Sequence, residues 1–407
     1  MPTLPRAAPE TVGLSSDALK RVDVAVHRLI DDGTLAGAVT MVGRHGKVVH
    51  ESAMGAKNLE TGEPLAVDTI FRIFSMTKPV TAVAMMILYD EGRWRPEDPI
   101  AKHLPEFADV KVFAGQGADG SPILEAPDHA PTLRELLTHT AGLSYGFDPT
   151  NPVDALYLGA EVWGSSGLAE MMARLAGLPL AYQPGSKWIY SIAMDVQGAI
   201  IERLTGQSLP DFMQARIFGP LGMVDTGFSL AEDKLPRLAV LYRRSKSRGL
   251  SEMARPPLMS DPTRVPRVPS GGGGLVSTAA NYARFAQMLL NGGELDGVRI
   301  IQPQSAALMM SNHLADALLN AEYGIGAQQI RPGFGHGFNG AVFHDPEAAG
   351  IPVGEGTYQW DGAAGTWFWV DPVHQLFYVG MIQLMDPAGG PPTQAMTQRL
   401  IAEAIVG

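Results

Sequence analysis

Ser75-Met76-Thr77-Lys78 is the stretch on which the fold and chemistry of this chain turn. It leads into Val80-Thr81-Ala82-Val83-Ala84-Met85-Met86-Ile87-Leu88, a run apolar nearly all round that predicts a buried helix ended by Glu91-Gly92. Positions i and i+3 of a helix share a face. The Ser75 hydroxyl and the Lys78 amine can therefore meet without help from the rest of the fold. A serine becomes a nucleophile only when a neighbouring base takes its proton, and a lysine whose pKa is lowered by burial can be that base. No other Ser-x-x-Lys occurs among the 407 residues. The competing reading, a serine N-cap with a surface lysine, fits poorly with so apolar a helix. The first turn also leaves N–H groups unpaired at the positive end of the helix dipole. That field disfavours a protonated Lys78 and lets the Ser75 N–H serve an oxyanion.

Upstream, Ser15-Ser16-Asp17 caps a predicted helix to about Asp32, with Leu19, Val22, Val26 and Leu29 at helical spacing. Ala38–Val42 and Val48–His50 read as a hairpin turning at Arg44–Lys47, and Thr69–Phe74 as an extended run that delivers Ser75. From about residue 95 to 270 the strand signal is poor. Helices are expected at Thr132–Thr138, Leu168–Leu175, Ser191–Leu204 and Pro210–Ile217, the basic cluster Arg243–Arg248 as an exposed loop, and the proline-rich Pro256–Pro269 as an irregular linker. Gly271-Gly272-Gly273-Gly274 marks close backbone approach. A helix at Thr278–Leu290, strands at Tyr323–Gln328, Gly365–Val370 and Gln375–Gln383, and a helix from Thr393 to Ile405 complete the chain. The expected class is α+β. Strands from both ends join in one antiparallel sheet, residues 1–74 and 271–407 forming one lobe and residues 75–270 a mainly helical one, with the site in the cleft between them.

Composition narrows the function. The chain is 45% hydrophobic and carries 31 Lys+Arg against 42 Asp+Glu, a net charge of −11, which argues against a nucleic-acid partner. It has no cysteine, which excludes disulfides, thiolate chemistry and zinc-thiolate sites. No apolar run approaches the roughly 20 residues of a membrane span, and Met1–Arg6 has no apolar leader core. A cytoplasmic protein is expected. No metal or other cofactor is expected either: His-Glu-x-x-His is missing, His336 and His344 make a poor ligand pair, and the glycine run lacks the Lys-Ser/Thr of a phosphate loop.

Tyr190-Ser191-Ile192 follows the turn Pro184-Gly185 and opens a predicted helix. A tyrosine beside a lysine ammonium would have its pKa lowered and could pass the nucleophile's proton to a leaving alcohol; the alternative is a buried tyrosine bonded to backbone. Asp195, one turn on, is either an outer residue orienting this group or a plain helix residue. Gly142-Leu143-Ser144-Tyr145-Gly146 is a formal Gly-x-Ser-x-Gly, and His313, His336, His344 and His374 follow it. That motif requires a strand before and a helix after. Here a predicted helix precedes it and Pro149, Pro152 and loop residues follow, so Ser144 reads as a loop serine after a helix cap at Gly142.

Taken in order, Ser75-x-x-Lys78, Tyr190-Ser191-Ile192 and Trp360-Asp361-Gly362 resemble the motifs of the family VIII carboxylesterases, which are similar to class C β-lactamases and DD-peptidases. Leu136–Leu143 and Gly219–Met223 add to the resemblance, which runs from about residue 15 to the C-terminus. It implies the serine β-lactamase/penicillin-binding-protein-like fold and a small ester as substrate, sometimes with an alcohol or amine replacing water. It also implies Ser75 as the acylated nucleophile, Lys78 and Tyr190 as the base and proton-relay pair, and the Ala363 N–H completing an oxyanion hole after Gly362, with Tyr145 lining the cleft. Two departures from the lactamase pattern matter. Ile192 stands where those enzymes have an asparagine, and Trp360 where they have a lysine that would grip a substrate carboxylate. Both point to neutral esters. A β-lactamase or peptidase, or a non-catalytic acyl-binding module on the same fold, are the alternatives.

Overall fold

The computed structural model describes residues 3–245, 249–253, 261–319, 324–325, 328–329, 332–386 and 389–406. Strands from the two ends of the chain pair in one eight-stranded antiparallel sheet. Its members are β1 (Gly37–Arg44), β2 (Lys47–Asn58), β3 (Glu63–Pro64), β4 (Phe334–His336), β5 (Ala341–Phe343), β6 (Tyr358–Asp361), β7 (Trp367–Asp371) and β8 (Leu376–Met381), in the spatial order β4-β5-β6-β7-β8-β1-β2-β3. The closing pair is β1 with β8, in register Val39 with Met381 and Val42 with Tyr378.

Both faces of this sheet are covered, so its central strands are apolar on both sides of the two-residue alternation. Trp367, Trp369 and Tyr378 pack with Leu19, Val22 and Val26 of α1 (Ser16–Asp31) and with Ile401 near the C-terminus. Phe368, Val370, Phe377 and Val379 join the other core, where the Tyr282 ring lies 4.9 Å from that of Phe368. Burying each of these side chains stabilises the fold by about 1.5–3 kcal/mol.

Between β3 and β4 the chain builds helices. The principal ones are α2 (Thr77–Asp90), α3 (Leu133–Leu137), α4 (Pro152–Gly159), α5 (Leu168–Leu175), α6 (Ala193–Thr205) and α7 (Ala279–Leu290), and α8 (Thr393–Ala402) closes the chain. Every residue of α2 from Thr77 to Leu88 is buried, as its all-round apolarity requires. Before it, Phe71–Arg72 pairs antiparallel with Val276–Ser277. This short ladder brings the glycine run alongside the start of α2. No helix among the described residues is long and apolar enough to cross a membrane.

Several expectations need correction. The extended run Thr69–Phe74 pairs at Ile70, which bridges Leu238 in parallel, and at Phe71–Arg72, then bends into a 3₁₀ turn at Phe74–Met76. Residues 95–270 are not strand-free, because Val112–Gln116 pairs with Pro122–Glu125 and Tyr242–Ser245 with Gly249–Glu252. The second hairpin replaces the loop expected at Arg243–Arg248, whose residues 246–248 lie outside those described. Tyr242 and Arg243 also pair in parallel with Leu384 and Met385, so a tertiary partner supplies the ladder that the polar sequence does not advertise. A helix, α4, follows Ser144, capped by the Asn151 side chain. Helix α3 ends at Leu137, so Gly142 does not cap it. Of the run Tyr323–Gln328, Gly324–Ile325 pairs with Gln328–Gln329, while Tyr323, Gly326 and Ala327 lie outside the described residues, as does 254–260 of the proline-rich linker.

The β4–β5 turn ties the sheet to the helices. Asn339, buried with φ +59°, donates from its side chain to the Lys78 carbonyl (3.2 Å) and to Gln197 Oε1 of α6 (2.7 Å), and from its backbone to the Leu137 carbonyl (2.9 Å). Asn339→Ala leaves these buried groups short of partners and places alanine in a left-handed conformation. It should lower unfolding stability by about 1–3 kcal/mol; an unchanged urea midpoint would show that the turn is not a tie.

Candidate active site

Ser75 stands in the 3₁₀ turn Phe74–Met76, two residues before α2 begins at Thr77. Phe74 has φ +42°, a conformation that strains a side chain of this size by about 1–3 kcal/mol. Hydrogen bonds hold both sides of the turn: the Ile73 N–H donates to the Leu275 carbonyl (3.1 Å) and the Tyr282 hydroxyl to the Met76 carbonyl (2.9 Å). Ser75 is thereby presented at the mouth of a helix whose body is sealed in the core.

Ser75 Oγ lies 2.6 Å from Tyr190 Oη and 3.1 Å from Lys78 Nζ. Lys78 Nζ also donates to the Gly272 carbonyl (2.6 Å) and reaches Tyr145 Oη (3.4 Å). It sits 4.6 Å from the centre of the Tyr190 ring. Lys78 is fully buried. That burial lowers its pKa from the usual 10.5, against the opposing pull of the Asp195 and Asp361 carboxylates. A neutral amine has two hydrogens and one lone pair. With the hydrogens on Gly272 O and Tyr145 Oη, the lone pair is left for the Ser75 hydroxyl.

The tyrosine behaves differently from expectation. Burial raises the pKa of Tyr190, and the Ser75 hydrogen bond only partly offsets this. The low-dielectric environment that deprotonates the lysine keeps the phenol protonated, because in each case it disfavours the charged form. Tyr190 is therefore held as a neutral phenol whose hydroxyl can donate to Ser75 Oγ.

Gly272 carries a function that the sequence reading identified only as close approach. A side chain there would put Cβ 2.6 Å from Tyr145 Oη, 3.0 Å from Asp195 Oδ2 and 3.5 Å from Lys78 Nζ. The strap is fixed from its other side: Asp195 Oδ1 accepts from Ser270 Oγ (2.7 Å) and from the Gly272 N–H (3.2 Å). The Gly272 peptide thus bridges the two, its N–H bonded to Asp195 and its carbonyl to Lys78. Burial raises the pKa of its carboxyl, opposed by these hydrogen bonds and by Lys78.

The β6–β7 turn approaches from the sheet. Cβ at Gly362 would collide with the Ile73 carbonyl, whose oxygen also accepts from Thr366 Oγ1 (3.2 Å). This close approach pins the turn against the residues preceding Ser75 and leaves Ala363 exposed at its tip. Trp360 is buried and packs on Tyr190, ring centres 6.0 Å apart. Tyr145 stacks on the half-exposed Phe147 at 4.6 Å, an aromatic wall that the sequence reading did not extend beyond Tyr145. Ser144 is elsewhere engaged: it is fully buried and its hydroxyl donates to Asp154. Among the described residues no group of three His, Cys, Asp or Glu is placed to hold a metal ion.

Comparison with known proteins places this geometry in a lineage. A protein-family model described as Beta-lactamase matches residues 22–403. The chain is similar to Esterase EstB of Burkholderia gladioli, 35% identical over 402 residues that cover 94% of this chain and 95% of the relative. It is 37% identical to Protein Rv1367c of Mycobacterium tuberculosis over 374 residues, 88% of each chain. A solved structure described as EstCE1, a hydrolase with promiscuous acyltransferase activity, superposes with a TM-score of 0.78 at 28% identity, over 96% of this chain and 98% of that one.

Two expected outcomes follow from the lysine and its strap. If the free Lys78 amine is the species that acts, kcat/KM for a neutral ester rises with pH as the ammonium is lost, and levels off well below the ordinary lysine value of 10.5. A limb centred near that ordinary value would contradict a base made by burial. Gly272→Ala should lower kcat by about 100-fold or more, because a displacement of about 1 Å at a reacting group has that effect. Steady-state kinetics and a melting curve on the same sample separate this from loss of fold.

Proposed function

The chain belongs to the beta-lactamase family, and on that premise we propose that it is a serine carboxylesterase of the family VIII type, cleaving small neutral esters through an acyl-enzyme on Ser75. The observation that carries this reading is the position of Ser75 Oγ, 2.6 Å from one proton carrier and 3.1 Å from another. Lys78 takes the hydroxyl proton as Ser75 Oγ bonds to the ester carbonyl carbon. The carbonyl oxygen becomes an oxyanion, met by the N–H groups of Ser75 and Ala363. When the tetrahedral species collapses, the bond to the alcohol oxygen breaks. Tyr190 gives that oxygen a proton and recovers one from the Lys78 ammonium. Water then repeats the sequence on the acyl-Ser75 carbonyl, releasing the acid.

The lowered Lys78 pKa and raised Tyr190 pKa support this division of labour, with the amine as first acceptor. The aromatic surroundings of Tyr190, with Trp360 in the position that would otherwise hold a cation, support a neutral substrate over an anionic one. The same reading assigns residues 1–74 and 271–407 to one lobe and 75–270 to the other. It is supported by a main sheet drawn only from the outer segments and by Ser75 at their junction. Transfer of the acyl group to an alcohol in place of water is the second activity of the site. The resemblance to EstCE1 supports it, and nothing in the steps above distinguishes water from an alcohol as acceptor.

Ser75→Ala should abolish turnover of a short p-nitrophenyl ester, and an activated phosphonate should add its mass to the peptide carrying Ser75. Ser144→Ala should retain most activity. The reverse pattern, or nitrocefin turned over far faster than esters, would overturn the assignment.

A further inference from the structure

The segment carrying Tyr190 is an irregular stretch ahead of α6, yet its hydroxyl lies 2.6 Å from Ser75 Oγ. A single residue, His139, holds it from both sides. The Ile189 N–H donates to the His139 carbonyl (2.8 Å). The Ser191 N–H donates to His139 Nδ1 (3.1 Å), and Ser191 Oγ lies 3.0 Å from the same nitrogen. The residues immediately before and after Tyr190 are therefore bonded to one histidine, backbone to one and ring to the other. The imidazole also packs on the Tyr190 ring, centres 5.0 Å apart. His139 has φ +60°, the left-handed conformation that turns both its carbonyl and its ring toward this segment.

The chemistry of the ring suits the task. To accept from a backbone N–H, Nδ1 must be unprotonated, which fixes the neutral tautomer with its hydrogen on Nε2. Burial lowers the pKa of His139, helped by His336 and Lys78, which favours the neutral ring that this acceptor role requires. A charged imidazole would lose the acceptor and place a second cation near Lys78. Two further backbone bonds join the same two segments: the Gly185 N–H donates to the Thr140 carbonyl (2.8 Å) and the Ile192 N–H to the Ser144 carbonyl (3.2 Å).

We propose that His139 is a positioning residue for the proton delivered to the leaving alcohol, acting through the backbone on either side of Tyr190. This rests on the esterase reading above, in which Tyr190 donates that proton. His139 touches neither Ser75 nor the ester. Its removal leaves nucleophile and base intact and displaces only the phenol.

The consequence is selective. A p-nitrophenolate leaves without a proton, whereas an ethoxide does not. Loss of proton delivery therefore slows an ethyl ester far more than a p-nitrophenyl ester of the same acid. The ratio of the two kcat/KM values is independent of how much enzyme is folded, since both substrates meet the same active fraction. Tyr190→Phe, the reference, should shift the ratio by about 100-fold or more, the usual contribution of a positioned acid. His139→Ala should shift it in the same direction by about 10-fold or more. His139→Asn, whose Oδ1 can take the place of Nδ1 and which tolerates positive φ, should restore it to within about threefold of the native value. If His139→Ala yields no folded enzyme, His139→Gln, with its acceptor one methylene too far out, takes its place.

A normal ratio in the variant lacking the acceptor, beside a shifted ratio in Tyr190→Phe, overturns the role given to His139. A normal ratio in Tyr190→Phe itself overturns the role given to the tyrosine, and so identifies the other failure. A shifted ratio that His139→Asn does not restore also counts against the proposal, because it assigns the effect to ring packing and not to the Ser191 hydrogen bond.

Discussion

An amine held away from water 3.1 Å from a serine hydroxyl is the constraint around which the molecule is organised. Keeping Lys78 charged in its fully buried position would require close compensation, since removing an ammonium from water carries an effective penalty of several kcal/mol. The two carboxylates that pull the other way, Asp195 and Asp361, lower that penalty without cancelling it. What stays is an amine poised between its two forms. Such a group is suited to take a proton from serine as its oxygen attacks and to give that proton up again.

That poise depends on walls. The apolar sides of α2 exclude water from Thr77 to Leu88. The Gly272 carbonyl fixes one amine hydrogen, and Asp195 fixes Gly272 in turn. Asn339 holds the backbone carbonyl of Lys78 itself. These contacts come from α6, from the glycine run and from the edge of the sheet, segments far apart in the chain that the fold brings together. A lysine on an isolated copy of this helix would be an ordinary ammonium in water.

The tyrosine shows the same environment acting with opposite effect. Burial that drives a proton from the lysine retains one on the phenol. Two groups with opposed preferences thus lie within reach of one oxygen, an arrangement suited to the separate acceptor and donor roles proposed for them. Burial also lowers the pKa of the nearby histidines, His139 and His336, the latter to about 4.

Sequence alone determined the local chemistry: a serine and a lysine one turn apart on a helix too apolar to be anywhere but inside, and a tyrosine and a Trp-Asp-Gly turn in the order that a known family uses. It also determined the sheet-forming ends and most helix positions, because hydrophobic period and capping residues such as Ser15 and Thr132 are local signals. Tertiary structure decided the rest. The hairpin at Tyr242–Ser245 is polar and owes its place to Leu384–Met385. Ser144, which its sequence context already reads as a loop serine, is engaged by burial and a bond to Asp154 that only the fold supplies. The direction of the Tyr190 shift, the use of Gly272 as an acceptor and the hold of His139 on both neighbours of Tyr190 all arise from groups distant in the chain. Desolvation and hydrogen-bond geometry depend on what surrounds a residue in space, and no reading of its neighbours in sequence contains that.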